Sequence, residues 1–552
     1  MNTKNIERME IERIYGIISP FELRNSLIQL ARDEGKKSAH TLLDAGRGNP
    51  NWTAAPPREA FFTFGQFAVH AARKTWKTCD CQNLLAGMPK KTGIAEEFKK
   101  YAEKHSYMPG MNLLNEIINY GTEQKGFDPD NWIYELADGI IGDNYPSPVR
   151  ILPHIADVVQ DYLKEEIYSE DPSPEFDMFA VEGATAGMCY IFDSLIANNL
   201  LEIDDTIAIM TPIFTPYLEI PLIPRYGFKI INIQASEFSR NGQKSWHYSD
   251  EEIEKLANND IKALFLVNPS NPPSVAIRPE SMEKLTAIVK KYNPNLMVIS
   301  DDVYGTFVDD FKSAASYLPF NTIGVYSFSK YFGVTGWRLG TISLARQNVF
   351  DHLLEALPEH ERKSARRRYE ALSTNPENIK FIDRIAADSR QVALNHTAGL
   401  STPQQVQMAF FAVFSLIDRN HSYKQIIQDI CRRRKRKLFE SLGLDLTEDP
   451  YSASYYTEFD ILELSQNFYG EEFTGYLKSN YKPVDILFSL AEKSSIVLLS
   501  GAGFKGPEWS IRISLANLED EDYKKIGEVL HNVLEDYACK WEKSNKKPAG
   551  IS

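Results

Sequence analysis

The sequence predicts an α/β protein that has a large domain with a mainly parallel sheet, a smaller α+β domain and added helical segments. Three observations support this class. Short apolar runs alternate with helical stretches between residues 178 and 345, helical patterns dominate the region before them, and the region after them mixes helices with a few strand-like runs. Because the chain has 552 residues, division into domains is expected.

The same patterns suggest where the domains begin and end. Residues 1–60 are predicted to form an N-terminal arm and part of the small domain. Residues 61–350 should form the large domain, with a helical insertion before Tyr145. Residues 351–552 should complete the small domain, with a charged helical insertion at 353–390.

Six apolar runs in the central region are typical of buried strands. They are 179–181, 206–210, 263–267, 296–300, 322–328 and 339–344. Helical stretches such as 280–292 separate them, which favours a parallel sheet covered on both faces. Ligands of such sheets bind at the carboxyl ends of the strands. In the tail, strand-like runs at 455–461, 495–500 and 510–515 precede a closing helix at about 520–541.

Composition excludes several functional classes. The net charge of −14 argues against a protein dedicated to binding nucleic acid. The basic runs at 366–368 and 432–437 are better interpreted as solvated helix faces or subunit contacts. The longest apolar stretch, 408–417, is too short to cross a membrane. Cys79 and Cys81 have the wrong spacing for a zinc site, so no metal is predicted. The charged first residues lack an apolar signal core, so a cytoplasmic location is expected.

Polar residues and turn formers follow several of the predicted strands. Gly183-Ala184-Thr185 leads into a helix and could bind phosphate, although strand-glycine-helix turns are also common for packing reasons. Phe214 could stack on a flat ligand or belong to the core. Asn271, between prolines, could present its amide to a ligand or only form a turn.

Two further strand ends carry charged residues. Asp301 directly follows an apolar strand, and a carboxylate there needs a partner. Lys330 lies at another strand end within a serine- and glycine-rich segment, where a buried lysine becomes an amine nucleophile. Arg338, eight residues further on, suits a phosphate. A lysine, a phosphate cradle, a stacking ring and a carboxylate together are what pyridoxal 5'-phosphate requires.

The pattern S-x-S-K-x-x-G-x-x-G-W-R-x-G at 327–340 resembles the fold-type I pyridoxal-phosphate enzymes of the aspartate aminotransferase superfamily. The resemblance implies that Lys330 forms a Schiff base with the cofactor and shuttles protons. Asp301 would pair with the pyridine nitrogen, Asn271 and Tyr304 would contact the phenolic oxygen, and Phe214 would stack on the ring. The residues that bind the cofactor phosphate in the family correspond here to Gly183, Ala184, Thr185, Ser327 and Arg338.

The resemblance extends to substrate and subunit contacts. Arg512, in Ser510-Ile-Arg512-Ile, matches the arginine that binds the substrate α-carboxylate, and Tyr145 resembles the tyrosine that reaches a neighbouring subunit's phosphate, which implies at least a homodimer. The arginine that aspartate aminotransferases carry just before a Ser-x-Pro stretch is missing before Ser401. Arg47, in the N-terminal glycine segment, is the candidate for contacting the distal carboxylate, and Gly48 and Asn271 are also expected to bind the substrate.

The added length, the GRGNPNW segment and the NPSNPP variant resemble the aspartate β-decarboxylase branch of the superfamily. That branch implies conversion of L-aspartate to L-alanine and carbon dioxide, a minor aspartate aminotransferase activity and an assembly larger than a dimer. Two alternatives stay open. One is an ordinary amino-acid aminotransferase, and the other is a ligand-binding regulator that kept the fold, although residues 1–45 are short and acidic for a DNA-binding segment.

Overall fold

The computed structural model describes residues 19–35, 41–76, 84–168, 175–238, 244–392 and 397–545. These residues form twelve strands and twenty α-helices. In chain order the strands are β1 (Leu43–Asp44), β2 (Phe176–Val181), β3 (Thr206–Thr211), β4 (Lys229–Gln234), β5 (Ile261–Val267), β6 (Met297–Asp301), β7 (Thr322–Ser327), β8 (Gly340–Ala345), β9 (Tyr456–Asp460), β10 (Ile496–Val497), β11 (Leu499–Ser500) and β12 (Ser510–Ser514).

The helices fall before, between and after the strands of the main sheet. In chain order they are α1 (Pro20–Gly35), α2 (Ala55–Arg73), α3 (Ile94–Lys104), α4 (Met111–Asn119), α5 (Pro129–Ile141), α6 (Pro153–Glu166), α7 (Ala184–Ala197), α8 (Pro216–Glu219), α9 (Asp250–Glu254), α10 (Pro279–Tyr292), α11 (Ala314–Tyr317), α12 (Val349–Ala356), α13 (Glu359–Tyr369), α14 (Phe381–Val392), α15 (Thr402–Leu416), α16 (Ser422–Leu442), α17 (Ile461–Tyr469), α18 (Glu471–Asn480), α19 (Pro483–Ser494) and α20 (Asp520–Asn545).

A seven-stranded sheet forms the centre of the molecule, in the order β2-β8-β7-β6-β5-β3-β4. Its strands run parallel except β8, which is antiparallel to both β2 and β7. Every residue of β6, β7 and β8 is buried, because helices cover both faces of the sheet. The predicted α/β class with a mainly parallel sheet is therefore confirmed.

Two strands of this sheet differ from the sequence prediction. The edge strand β4, KIINIQ, was not predicted, and β2 begins three residues before the predicted run. Only Ile233 of β4 is buried, since an edge strand packs on one side alone. Its charged and amide residues therefore interrupt the apolar run that marks the inner strands.

Helices from both halves of the chain pack together on the sheet. α15 lies against α2, α5 and α6, and the rings of Phe64 and Phe410 are 5.9 Å apart at this contact. α14, at the end of the charged 353–390 segment, packs on α7, where Ser194 donates to Asp388 over 2.9 Å. The domain limits at 60 and 350 stay a prediction.

A second core joins the two ends of the chain. β1 pairs with β10 in parallel, and α1 packs on α19, so the N-terminal arm lies beside the three-stranded sheet β11-β12-β9. α16 spans both cores, with Cys431 buried in the first and Leu438 in the second. This arrangement brings residues 46–48 next to Arg512.

Two sequence observations concern the cysteines and the membrane. Cys79 and Cys81 lie outside the described residues, whereas Cys189, Cys431 and Cys539 are free thiols. Within the described ranges, every helix is too short or too polar to cross a bilayer.

Candidate active site

The carboxyl ends of four parallel strands meet at one cavity. Phe214 follows β3, Asn271 follows β5, Asp301 ends β6, and Ser327 ends β7 with Lys330 three residues further on. The cavity has a volume of about 280 Å³. Its lining comprises Phe21, Gly48, Asn49, Ala184, Thr185, Phe214, Val267, Asn271, Asp301, Val303, Tyr304, Ser327, Ser329, Lys330, Thr335, Arg338, Tyr456 and Arg512.

Most of the residues that the sequence singled out therefore line one cavity. Three are not part of the lining, namely Gly183, Arg47 and Tyr145, and the side chains of Arg47 and Tyr145 are exposed. Gly183 adjoins the cavity through its neighbour Ala184. The individual roles of these residues, including those of Arg47 and Tyr145, stay predictions.

Lys330 and Asp301 provide the two charged groups in the floor of the cavity. The ammonium of Lys330 donates to the carbonyl of Gly48 over 2.9 Å, and its side chain is partly exposed to the cavity. The buried Asp301 carboxylate accepts hydrogen bonds from the Tyr217 hydroxyl and from the Val303 amide. Burial raises the pKa of Asp301 to about 6 despite these bonds. A cation placed against this carboxylate would therefore be stabilised.

An anion site lies at the opposite wall. Gly183 has a φ of 87° and precedes α7, so the first amides of that helix, at Ala184 and Thr185, lack helical acceptors. A Cβ on Gly183 would lie 2.5 Å from Nη2 of Arg338, and one on Gly340 would lie 2.7 Å from Cα of Gly183. The two glycines thus let the turn, β8 and the guanidinium approach each other closely enough to surround a phosphate.

Arg512 forms the third charged element of the cavity and is fully buried. Its Nη1 donates to Oδ1 of Asn271 over 3.2 Å, its Nη2 donates to the carbonyl of Gly46 over 2.7 Å, and the ring of Tyr456 lies 4.4 Å from its guanidinium carbon. Nε has no hydrogen-bond partner among the described residues. A planar guanidinium held in this way is suited to a carboxylate.

The N-terminal glycine segment closes the cavity through its backbone. The Gly48 carbonyl accepts from both Lys330 and the Tyr455 hydroxyl, and a Cβ on Gly48 would lie 2.5 Å from the Tyr456 hydroxyl. Glycine is therefore required at position 48 for steric reasons, whereas the Arg47 side chain points to the exterior.

Sequence reasoning missed several aromatic residues of the site. Tyr217 donates to Asp301, and the Tyr304 hydroxyl donates to that of Tyr456 over 3.0 Å. Phe21 packs edge-on against Phe214, with ring centroids 6.0 Å apart. Tyr217 could have been found, because it lies three residues after Phe214 and a strand-end carboxylate needs a donor. The positions of Phe21 and Tyr456 depend on long-range packing that a local pattern does not show.

One group of possible metal ligands lies outside this cavity and consists of Glu165, Glu166 and His421, whose ligand atoms are close together. Glu166 is, however, bound by Lys424 at 2.8 Å and by the Ser415 hydroxyl at 3.1 Å. These contacts explain the buried carboxylate without a metal ion.

Asp302, next to the site, should make the stability of the apoprotein depend on pH. It accepts hydrogen bonds from Ser300 and Ser313, and burial raises its pKa to about 7. The folded protein thus binds a proton between about pH 4 and pH 7 that the unfolded chain releases, so its stability should fall as pH rises through this window. We expect Asp302→Asn to reduce this slope of the free energy of unfolding, measured with urea from pH 4 to pH 8.

Asp260→Asn provides the matched control, because Asp260 is fully exposed. It should leave the slope as it is in the wild type. An equal slope in Asp302→Asn and the wild type would show that Asp302 is ionised throughout this range.

The fold and the cavity are those of a pyridoxal-phosphate enzyme, and comparison with known proteins identifies the same class. Residues 184–530 match the aminotransferase class I and II family, and the chain belongs to that family, whose cofactor is pyridoxal 5'-phosphate. The chain is 44% identical over 520 residues to a bifunctional aspartate aminotransferase and L-aspartate beta-decarboxylase from a Pseudomonas species, covering 94% of this chain and 96% of that protein.

More distant relatives share part of the sequence or the fold. An aspartate aminotransferase of Thermotoga maritima is 34% identical over 32% of this chain and 44% of its own length. The structure of N-succinyldiaminopimelate aminotransferase from Mycobacterium tuberculosis superposes with a TM-score of 0.57 at 14% identity, covering 95% of this chain and 98% of that one. The structure of Thermus thermophilus aspartate aminotransferase with maleate superposes with a TM-score of 0.55 at 14% identity, covering 92% of this chain and 96% of that one. These two structures show the shared fold.

The chemical groups around the cavity are suited to binding pyridoxal phosphate. Among the described residues, no cationic group lies at hydrogen-bond distance from the buried Asp301 carboxylate. The glycine turn leaves space where a Cβ would clash, and Lys330 supplies an amine. Asp301 would hold the protonated pyridine nitrogen, and the turn at Gly183 with Arg338 would hold the phosphate.

Proposed function

We propose that the protein removes the β-carboxylate of L-aspartate as carbon dioxide and yields L-alanine, with a minor aspartate aminotransferase activity. The observation that carries this proposal is the 44% identity over 94% of the chain to the bifunctional Pseudomonas enzyme. The absence of an arginine before Ser401 supports it, because a distal carboxylate held by a full ion pair would be stabilised against leaving.

The residues of the cavity would have different roles in this reaction. When bound, the cofactor withdraws electrons from the bonds at the substrate's α-carbon. Asp301 would keep the pyridine nitrogen protonated, since a buried carboxylate favours an adjacent positive charge. Asn271 and Tyr304 would orient the cofactor ring, and Phe214 would stack on it. The amine of Lys330 would remove the α-proton of the substrate and later return a proton.

The substrate carboxylates have different surroundings. Arg512 would bind the α-carboxylate with its two terminal nitrogens, between Asn271 and the ring of Tyr456. For the β-carboxylate, Arg47 stays our candidate, supplied by a neighbouring subunit because its side chain is exposed in its own chain. A contact shared between subunits would hold this carboxylate without burying it in a permanent ion pair.

We further propose that the enzyme is at least a homodimer, and a larger assembly of dimers, in the cytoplasm. The loop that carries Tyr145 borders the surface near Arg338, because Gly142 packs on Pro403 and the next residue, Gln404, donates to the carbonyl of Trp337. Phe62, which is 59% exposed, packs against Trp337 on the same surface. A second copy there would bury these rings and place Tyr145 within reach of a phosphate site.

Product analysis tests the function. The purified protein with pyridoxal phosphate and L-aspartate should release equal amounts of L-alanine and carbon dioxide without any 2-oxo acid acceptor. A slow side formation of oxaloacetate should accompany it. We would measure carbon dioxide from labelled aspartate and alanine by chromatography in the same samples.

Dependence on a 2-oxo acid acceptor distinguishes transamination from decarboxylation. If carbon dioxide is absent and product forms only when 2-oxoglutarate is added, the protein is an aminotransferase and the proposal is wrong. Wild-type protein without pyridoxal phosphate serves as the control for spontaneous decarboxylation.

A further inference from the structure

A second cavity, of about 350 Å³, lies beside β9 and shares no lining residue with the active site. It is bounded by residues 244–247, the loop 444–452 and the start of α17. Much of its wall is apolar: Trp246, Pro273, Val275, Phe439, Leu444, Leu446, Pro450, Tyr451, Phe459 and Leu464. A pocket of this size and character suits a small molecule with an apolar group.

Glu458, on β9, is one of the lining residues of this cavity, and one of its carboxylate oxygens is buried. The residue is only 6% exposed, and its Oε1 accepts a hydrogen bond from the Ser510 hydroxyl over 2.6 Å. Its Oε2 has no hydrogen-bond partner among the described residues, and burial raises the pKa of the carboxyl to about 7. A buried carboxylate oxygen without a partner is costly, so a bound cation would stabilise it.

Two lysines contribute positive charge to the same cavity. Lys435 is partly buried and donates to the Ser452 hydroxyl over 3.1 Å, and Lys244 lies 4.9 Å from the ring centre of Trp246. Among the described residues, neither ammonium has a carboxylate within 4 Å. The other charged groups nearby are accounted for, because His247 pairs with Asp449 and Arg278 with Glu237.

We propose that this cavity binds a zwitterionic amino acid with an apolar side chain. Its ammonium would meet Glu458, its carboxylate would meet Lys435, and its side chain would pack against Phe439 and Leu464. A dicarboxylate such as the proposed substrate is disfavoured, since five carboxyl groups line the cavity: Glu448, Asp449, Glu458, Asp460 and Glu463.

The proposed ligand would influence the active site through Glu458. Glu458 lies directly opposite Arg512 in the antiparallel register of β9 and β12, so both side chains leave the same face of the sheet. A ligand ammonium beside Glu458 would offset the negative charge next to Arg512, and a carboxylate at Arg512 would then bind more tightly. This consequence rests on the proposed role of Arg512, whereas binding to the cavity does not.

Calorimetry of the holoenzyme with L-leucine tests the proposal. Saturating maleate, a dicarboxylate without an amine, keeps the active site filled during the titration. We expect one L-leucine to bind per chain, and we expect Glu458→Gln and Lys435→Met each to weaken binding by about tenfold or more, since each removes a charge-assisted contact. Lys437→Met is the matched control, because Lys437 lies on the same helix but pairs with Glu521, outside the cavity. It should bind L-leucine like the wild type.

Three results would overturn the proposal: no saturable heat with L-leucine, displacement of maleate by L-leucine, or wild-type affinity in Lys435→Met. Leu464→Trp, which fills the cavity without altering a charge, should abolish binding, and retained binding in this variant would also contradict the site. Because the titration needs no turnover, it is independent of whether the protein decarboxylates aspartate. The reciprocal titration, maleate in the presence of L-leucine, should show tighter maleate binding if Arg512 is the carboxylate site.

Discussion

Lys330→Ala should lower the rate of carbon dioxide release from aspartate by about 10,000-fold or more. The amine of Lys330 is the cavity's only lysine ammonium in the described structure, and Asp301 lines the same cavity. The variant loses both the covalent attachment of the cofactor and the group that moves the α-proton, and proton transfer alone contributes about 100- to 10,000-fold. The rate should be measured with labelled aspartate at saturating substrate and cofactor.

The variant should remain folded, because Lys330 makes one hydrogen bond, to the Gly48 carbonyl, worth about 1 kcal/mol. Its circular dichroism and its unfolding midpoint should therefore be close to those of the wild type. Borohydride reduction of the wild-type holoenzyme should attach the cofactor to the peptide that contains Lys330, whereas the peptide with Lys435 stays unlabelled. A label on another lysine, or activity within about tenfold of the wild type, would contradict the assigned role.

The sequence predicted the parts of this site that lie close to strand ends. Asp301 and Lys330 follow apolar runs that can only be buried strands, and the carboxyl ends of parallel strands must meet at one edge of the sheet. Local sequence therefore determined both the residues and their approximate relative positions. The edge strand β4 escaped prediction because its solvent-facing side chains break the apolar pattern.

The remaining contacts depend on how distant segments pack. Tyr456 reaches Arg512 and Tyr304 only because β9 pairs with β12, and Phe21 reaches Phe214 only because α1 packs on the C-terminal region. Arg47 was singled out from its neighbours in the sequence, yet it is the backbone of Gly46 and Gly48 that contacts Arg512 and Lys330. The sequence does not tell whether the backbone or the side chains of this segment face the cavity.

Arg512→Lys should lower kcat/KM for aspartate by about 10- to 150-fold, mainly through a higher KM, because a hydrogen bond to a charged group is worth about 1.5–3 kcal/mol and the variant loses one. The guanidinium is held by Asn271 and the Gly46 carbonyl and lies 4.4 Å from the Tyr456 ring. A lysine ammonium is a single point of charge and cannot keep both protein contacts while it binds two carboxylate oxygens. Steady-state kinetics with aspartate and calorimetry with maleate should show the same loss of affinity.

Arg434→Lys separates this effect from a general loss of stability. Arg434 is also buried, donating to Asp520, to the Leu515 carbonyl and to Asn51, but it does not line the cavity. Its replacement should lower the unfolding midpoint and leave kcat/KM nearly unchanged, whereas Arg512→Lys should do the reverse. If both variants lose kcat/KM in proportion to their loss of stability, Arg512 acts as a structural residue and the substrate α-carboxylate is bound elsewhere. If Arg512→Lys lowers kcat with an unchanged KM, the arginine contributes to the chemical step instead of to ground-state binding.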